Sequence, residues 1–157
     1  MPQLVKGGKH VFGWSRVDQD GRIRVPLEAM REYSWTEGER LLLLSGSRTS
    51  GGFGLGSLAS LRGSPLGSVA DARPDLAGLS IAEGELVQHR GRTYCWVELR
   101  GGLIRLPSET LGRYGIATGD DLLVIRGSGL ALGFAVRGPI VEEARKHPAL
   151  ERFTASG

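Results

Sequence analysis

Residues 18–44, DQDGRIRVPLEAMREYSWTEGERLLLL, carry the signals that decide the fold. Residues 18–21 are typical of a turn, because Asp favours turn starts and Gly tolerates a positive φ. In residues 22–25 polar and apolar side chains alternate, which predicts a strand with one buried face. Pro26 ends that strand and favours a helix start, and the apolar spacing in residues 27–33 predicts about two helical turns.

The flanking residues extend this pattern in both directions. Residues 11–17 are rich in aromatic and β-branched side chains and predict a strand that forms a hairpin with residues 22–25. Gly38 ends the helical segment, and residues 39–45 form a continuous apolar run that predicts a buried strand. A last short strand is expected at residues 53–55. The predicted order of elements is therefore β-β-α-β-β.

The same order occurs a second time in the chain. Residues 102–125 read GLIRLPSETLGRYGIATGDDLLVI, and a shift of 81 residues aligns residues 21–55 with 102–136 without a gap. Upstream of the turn the shift is 82, so that Trp14 meets Trp96. The single change of register falls inside the predicted turn, where an extra residue is easily absorbed. We infer an internal duplication, which spans residues 4–55 and 86–136.

The duplication divides the chain into four predicted parts. These are a first repeat at residues 1–55, a Gly/Ser/Ala/Leu-rich connector at 56–84, a second repeat at 85–137, and a short C-terminal helix and tail at 138–157. A unit of about 50 residues buries too little apolar surface to be stable alone. The two copies are therefore expected to share one core or to pair with other chains.

The sequence of signals in residues 18–44 and 102–125 resembles the AbrB/SpoVT family. With the flanking strands, the resemblance covers roughly two thirds of the chain. It implies a mainly β fold in which the tandem units form a swapped-hairpin β-barrel, closed within one chain about a pseudo-twofold axis. A tandem relative, the MraZ type, carries an Asp-x-x-x-Arg motif in each copy. Asp18 and Arg22 fit that motif, whereas residues 99–103 do not.

The resemblance also implies a function. Most members of the family are bacterial transcription regulators, and their DNA contacts come from basic residues near the hairpin turn and the helix start. The corresponding residues in this chain are Arg16, Arg22, Arg24, Arg31 and, in the second copy, Arg105. Such arginines can contact phosphates and base edges.

Other readings of these arginines stay open. Alternating arginines can simply keep one strand face hydrated, and Arg24 and Arg105 can equally pair with Glu28 and Glu109. The second copy departs from the pattern, because Leu103 and Gly112 stand where the first has Arg22 and Arg31. A homo-oligomer that presents two first-repeat faces would restore symmetric DNA reading. The alternative function is a protein-interaction or oligomerisation module, antitoxin-like or scaffolding, that does not bind DNA.

Composition allows both functions. The net charge of +3 and the pI of about 9.4 permit DNA binding without requiring it. No nucleophile–base pair, paired carboxylates or ligand spacing indicates an enzyme, a metal site or a cofactor; His10, His89 and His147 are expected at the surface. The single cysteine, Cys95, is expected in a buried strand. No apolar stretch predicts a signal peptide or a membrane span, so a cytoplasmic protein is expected.

Overall fold

The computed structural model describes residues 10–58, 73, 75, 80–127 and 131–156. The start of the first repeat at Leu4 and Val5 lies outside these residues, as does most of the connector. The described fold is mainly β, as predicted. None of its helices is long and apolar enough to span a membrane.

Ten strands and three helices make up the described fold. The strands are β1 (Val11–Arg16), β2 (Arg22–Arg24), β3 (Arg40–Ser45), β4 (Phe53–Ser57), β5 (Val87–His89), β6 (Arg92–Glu98), β7 (Leu103–Arg105), β8 (Asp121–Arg126), β9 (Leu132–Ala135) and β10 (Arg152–Phe153). The helices are α1 (Leu27–Glu32), α2 (Ser108–Arg113) and α3 (Pro139–Arg145). Strands β5 and β10 were not predicted; the other elements lie within two residues of their predicted bounds.

The strands form one eight-stranded sheet and one two-stranded ribbon. The order in the sheet is β10-β1-β8-β9-β4-β3-β6-β5, so β10 and β5 are its two end strands. The ribbon consists of β2 and β7, which pair antiparallel. The equivalent strands β1 and β6 each pair with a strand of the other repeat, β1 with β8 and β6 with β3.

The predicted hairpin between residues 11–17 and 22–25 is wrong. The turn forms, since the Gly21 amide donates to the Asp18 carbonyl at 3.1 Å, but β1 and β2 then diverge to different partners. Where the two strands cross, the buried Ser15 hydroxyl donates to the Arg24 carbonyl at 2.7 Å. Strand β1 pairs instead with the aliphatic strand β8 of the opposite repeat, and β2 pairs with its short counterpart β7, so that both strands gain partners beyond a two-stranded hairpin.

Strand pairing follows the internal duplication residue by residue. Trp14 lies opposite Leu123, and the equivalent Trp96 lies opposite Leu42. Two pairs link a residue to its own counterpart in the other repeat: Ile23 to Ile104 in the ribbon, and Phe53 to Phe134 between β4 and β9. A twofold exchange of strands produces this pattern, with the axis passing through the two self-equivalent pairs.

The central core draws on both repeats. It includes Ile23, Leu41 and Leu43 from the first repeat and Ile104 and Leu122 from the second, all at most 1% exposed. This shared core agrees with the expectation that neither repeat buries enough apolar surface alone.

The outer faces of the sheet carry two smaller clusters. Helix α3 covers one of them through Val141 and Ala144, which pack on Trp14 and Leu123. The equivalent face holds Leu42, Leu44, Val87 and Tyr94, with Leu58, Ile81 and Trp96 packed against them. Leu42 and Leu123 are therefore buried strand residues, as predicted, but they lie on the outer faces and not in the central core.

Candidate nucleic-acid interface

The β2·β7 ribbon brings three of the predicted arginines together. In its register Arg22 lies opposite Arg105, and Arg24 lies opposite Leu103. Ile23 and Ile104 point from the other face into the core, which is why the intervening arginines face outward. The ribbon therefore presents three guanidinium groups at the junction of the two repeats.

Like charges directly opposite each other destabilise an antiparallel pair. Two carboxylates reduce this cost at Arg22. Its Nε donates to Asp18 Oδ2 at 2.7 Å, and its Nη2 lies 3.8 Å from Asp20 Oδ2. Arg22 stays 45% exposed, so these ion pairs contribute little stability and exchange readily for other anions.

Asp18 holds the turn as well as the arginine. Its Oδ1 accepts from the amides of Asp20 and Arg22 at 2.9 and 2.8 Å. Burial alone would raise the pKa of Asp18, but these hydrogen bonds and the Arg22 guanidinium lower it below its ordinary value. The carboxylate is therefore ionised at neutral pH and fixes the Asp-x-x-x-Arg segment as a rigid turn.

Arg24 and Arg105 occupy equivalent positions and make one equivalent contact. Arg24 Nη1 donates to the Gly101 carbonyl at 2.9 Å, and Arg105 Nε donates to the Asp20 carbonyl at 3.1 Å. Arg24 makes two further hydrogen bonds, through Nε to the Thr154 carbonyl at 3.0 Å and through Nη2 to the Ala155 carbonyl at 2.8 Å. Within the described residues, neither arginine forms an ion pair with Glu28 or Glu109.

Arg16 does not belong to the two strands of the ribbon. It is on β1, where it pairs with Asp121 on β8 at 3.1 Å. The equivalent pair in the other half is Glu98 with Arg40 at 3.9 Å, with the charges reversed. An ion pair at both positions indicates that Arg16 joins neighbouring strands, in addition to any contact with DNA.

Arg31 projects from the last turn of α1 and is exposed. Its counterpart Gly112 leaves α2 without a side chain at that position. The two halves therefore differ in the basic groups that they present, as the sequence indicated.

The described residues contain no group of three or more His, Cys, Asp or Glu side chains placed to hold a metal ion. Cys95 is fully buried in β6, as predicted, and its thiol lies 3.7 Å from the Tyr114 hydroxyl. Burial raises the pKa of Cys95 to about 12, so the thiol is protonated and unreactive at neutral pH.

Two contributors to the ribbon surface were not predicted. The sequence pattern indicated only a turn at Asp20, although this residue lies two positions before Arg22 and four before Arg24. The carbonyls of Thr154 and Ala155 have no sequence signal, because every residue carries a carbonyl.

Comparison with family models, curated proteins and solved structures finds no match to this chain.

Proposed function

We propose that the chain is a DNA-binding transcription regulator of the AbrB/SpoVT type, built as a swapped-hairpin β-barrel within one chain. The observation that carries the proposal is the arginine ribbon, in which Arg22 lies opposite Arg105 and Arg24 follows on the same face. A two-stranded antiparallel ribbon fits the major groove of B-form DNA, where arginines read guanine edges and phosphates.

The stability cost of the ribbon supports this function. Opposed arginines disfavour the β2·β7 pairing, and Asp18 and Asp20 offset this only at Arg22. DNA phosphates placed beside Arg22 and Arg105 would each pair with one of the two guanidinium groups and reduce their repulsion. The exposed ion pairs of Arg22 are weak enough to exchange for such a phosphate.

Fluorescence anisotropy with labelled duplex DNA at low salt tests the proposal. The double variant Arg22→Ala/Arg105→Ala removes two phosphate contacts, so the slope of log affinity against log salt should become shallower by about 1.8. The matched control, Arg145→Ala/Lys146→Ala, removes two charges from the C-terminal end of α3 and the residue after it, and should change binding far less. Absence of DNA binding by the unaltered protein at low salt, or equal losses in both double variants, contradicts the proposal.

A second candidate function is a protein-interaction module that retains this fold. Two outward-facing apolar residues favour it: Leu103 takes the fourth outward position of the ribbon, and Leu27, at the start of α1, is 58% exposed. The test is co-purification of a stoichiometric partner from the native host. Loss of this partner on Leu27→Ser substitution, with no change in its binding on Arg22→Ala/Arg105→Ala substitution, would favour this function.

A further inference from the structure

The segment at residues 151–156 runs alongside β1 and ends on the arginine ribbon. Strand β10 pairs parallel with β1, and the Trp14 amide donates to the Glu151 carbonyl at 2.9 Å. Arg152 holds the segment in place, with Nη1 at 3.3 Å from Asp121 Oδ2 and its guanidinium 6.0 Å from the centre of the Trp14 ring. Beyond the end of β10, the carbonyls of Thr154 and Ala155 accept hydrogen bonds from Arg24.

These two hydrogen bonds occupy Arg24 in a specific way. A guanidinium grips a phosphate bidentately through two parallel N–H groups. In Arg24, Nε and Nη2 both donate to the segment, while Nη1 donates to Gly101. Three of the five N–H groups of Arg24 therefore already have acceptors, and a phosphate must displace the segment to take the Nε–Nη2 edge.

The duplication supplies an internal comparison. Arg105 is the counterpart of Arg24 and makes the equivalent bond to a turn carbonyl, but no segment in the described part of the chain covers its Nη1 and Nη2 atoms. The two bonds from Arg24 to Thr154 and Ala155 are thus absent on the side of the ribbon that carries Arg105. Support of the turn does not require them, because Arg105 supports its turn without such bonds.

We propose that residues 152–156 form an autoinhibitory latch, which occupies Arg24 and is displaced when the ribbon binds an anionic backbone. This inference rests on the proposed DNA-binding function. It makes the two equivalent arginines unequal: Nη1 and Nη2 of Arg105 are available at once, whereas the Nε–Nη2 edge of Arg24 becomes available only after the latch is released. The free protein then binds DNA with one phosphate contact fewer than the ribbon can provide.

The test is a comparison of DNA binding with the latch held and released. The variant Arg152→Ala/Phe153→Ala removes the Arg152 contacts and the Phe153 ring, which lies against Gly13 on β1, and leaves Arg24 intact. Although it also loses a positive charge, it should bind duplex DNA roughly three- to tenfold more tightly and with a salt slope steeper by about 0.9. Phe153→Ala alone, which keeps every charge, should shift affinity in the same direction. Arg145→Ala, a charge loss outside the latch, should not tighten binding.

The gain must depend on Arg24. In an Arg24→Ala background, release of the latch should leave affinity unchanged or lower it, and an equal gain there overturns the latch. Hydrogen exchange gives a readout without DNA: Arg24→Ala should speed exchange of the amides at residues 152–156, and unchanged exchange overturns it too. If the unaltered and released proteins bind DNA equally, the latch fails while the proposed function stands. If neither binds, the proposed function fails, and the contact is structural only.

Discussion

Replacing Ile104 by Ala should show how strongly the two halves depend on the ribbon. Ile104 is 1% exposed, and its direct cross-strand partner Ile23 is fully buried. The substitution removes three carbon groups, worth about 2.4 kcal/mol at about 0.8 kcal/mol each. The cavity left behind adds to this, so we expect the free energy of unfolding to fall by about 2.5–4 kcal/mol. Leu103→Ala, on the outward face of the same strand, should cost under about 1 kcal/mol.

Urea denaturation, followed by tryptophan fluorescence, to which the buried Trp35 of the central core contributes, measures these differences. Because Ile23 and Ile104 are in direct contact across the ribbon, Ile23→Ala and Ile104→Ala should be non-additive, with a coupling of at least about 0.5 kcal/mol. Losses below about 1 kcal/mol for both single variants, or strict additivity in the double variant, would refute the pairing of the two halves through these residues.

Three further outcomes are expected. The lowered pKa of Asp18 means that its charge stabilises the fold above the unfolded pKa of about 3.9 and that this contribution is lost as pH falls through the lower folded value. The stability difference between the protein and Asp18→Asn should therefore be present at pH 7 and shrink as pH falls below about 3.9, and a pH-independent difference would count against it. Gly21 and Gly38 both have positive φ, but a Cβ at Gly21 would collide with the Leu106 carbonyl oxygen, whereas a Cβ at Gly38 would meet no atom within 4 Å. Gly21→Ala should therefore destabilise the protein clearly more than Gly38→Ala, and equal melting temperatures for the two variants would refute this. Cys95, with its raised pKa and full burial, should resist alkylation at pH 8 until the protein unfolds. Mass spectrometry across a urea series measures this, and rapid labelling of the native protein would contradict the burial of Cys95.

Local patterns predicted the elements but not their partners. Alternation in residues 22–25 and the aliphatic run in residues 39–45 indicate which side chains are buried, and the buried set agrees. Such patterns specify a face and not the strand that covers it, which is why the expected hairpin was wrong. The pairing of β1 with β8 depends on the packing of the whole core, and a residue's neighbours along the chain do not record it.

The candidate site was predictable to the same extent. Alternation placed Arg22 and Arg24 on one outward face, and the duplication pointed to Arg105. The duplication carries a signal for the role of Arg16. The residues that correspond to Arg16 and Asp121 in the other repeat are Glu98 and Arg40, which also have opposite charges. By contrast, Arg24 donates its hydrogen bonds to the main-chain carbonyls of residues 154–155, which have no residue-type signature.

The most direct test of the central claim is a backbone-amide NMR titration of the 157-residue chain with duplex DNA at low salt. The account predicts shift changes concentrated in residues 18–25 and 101–106, the ribbon and its two turns, which reverse as salt is raised. Absence of shift changes in these residues, or changes centred on α3 and the outer sheet face that it covers, would contradict it.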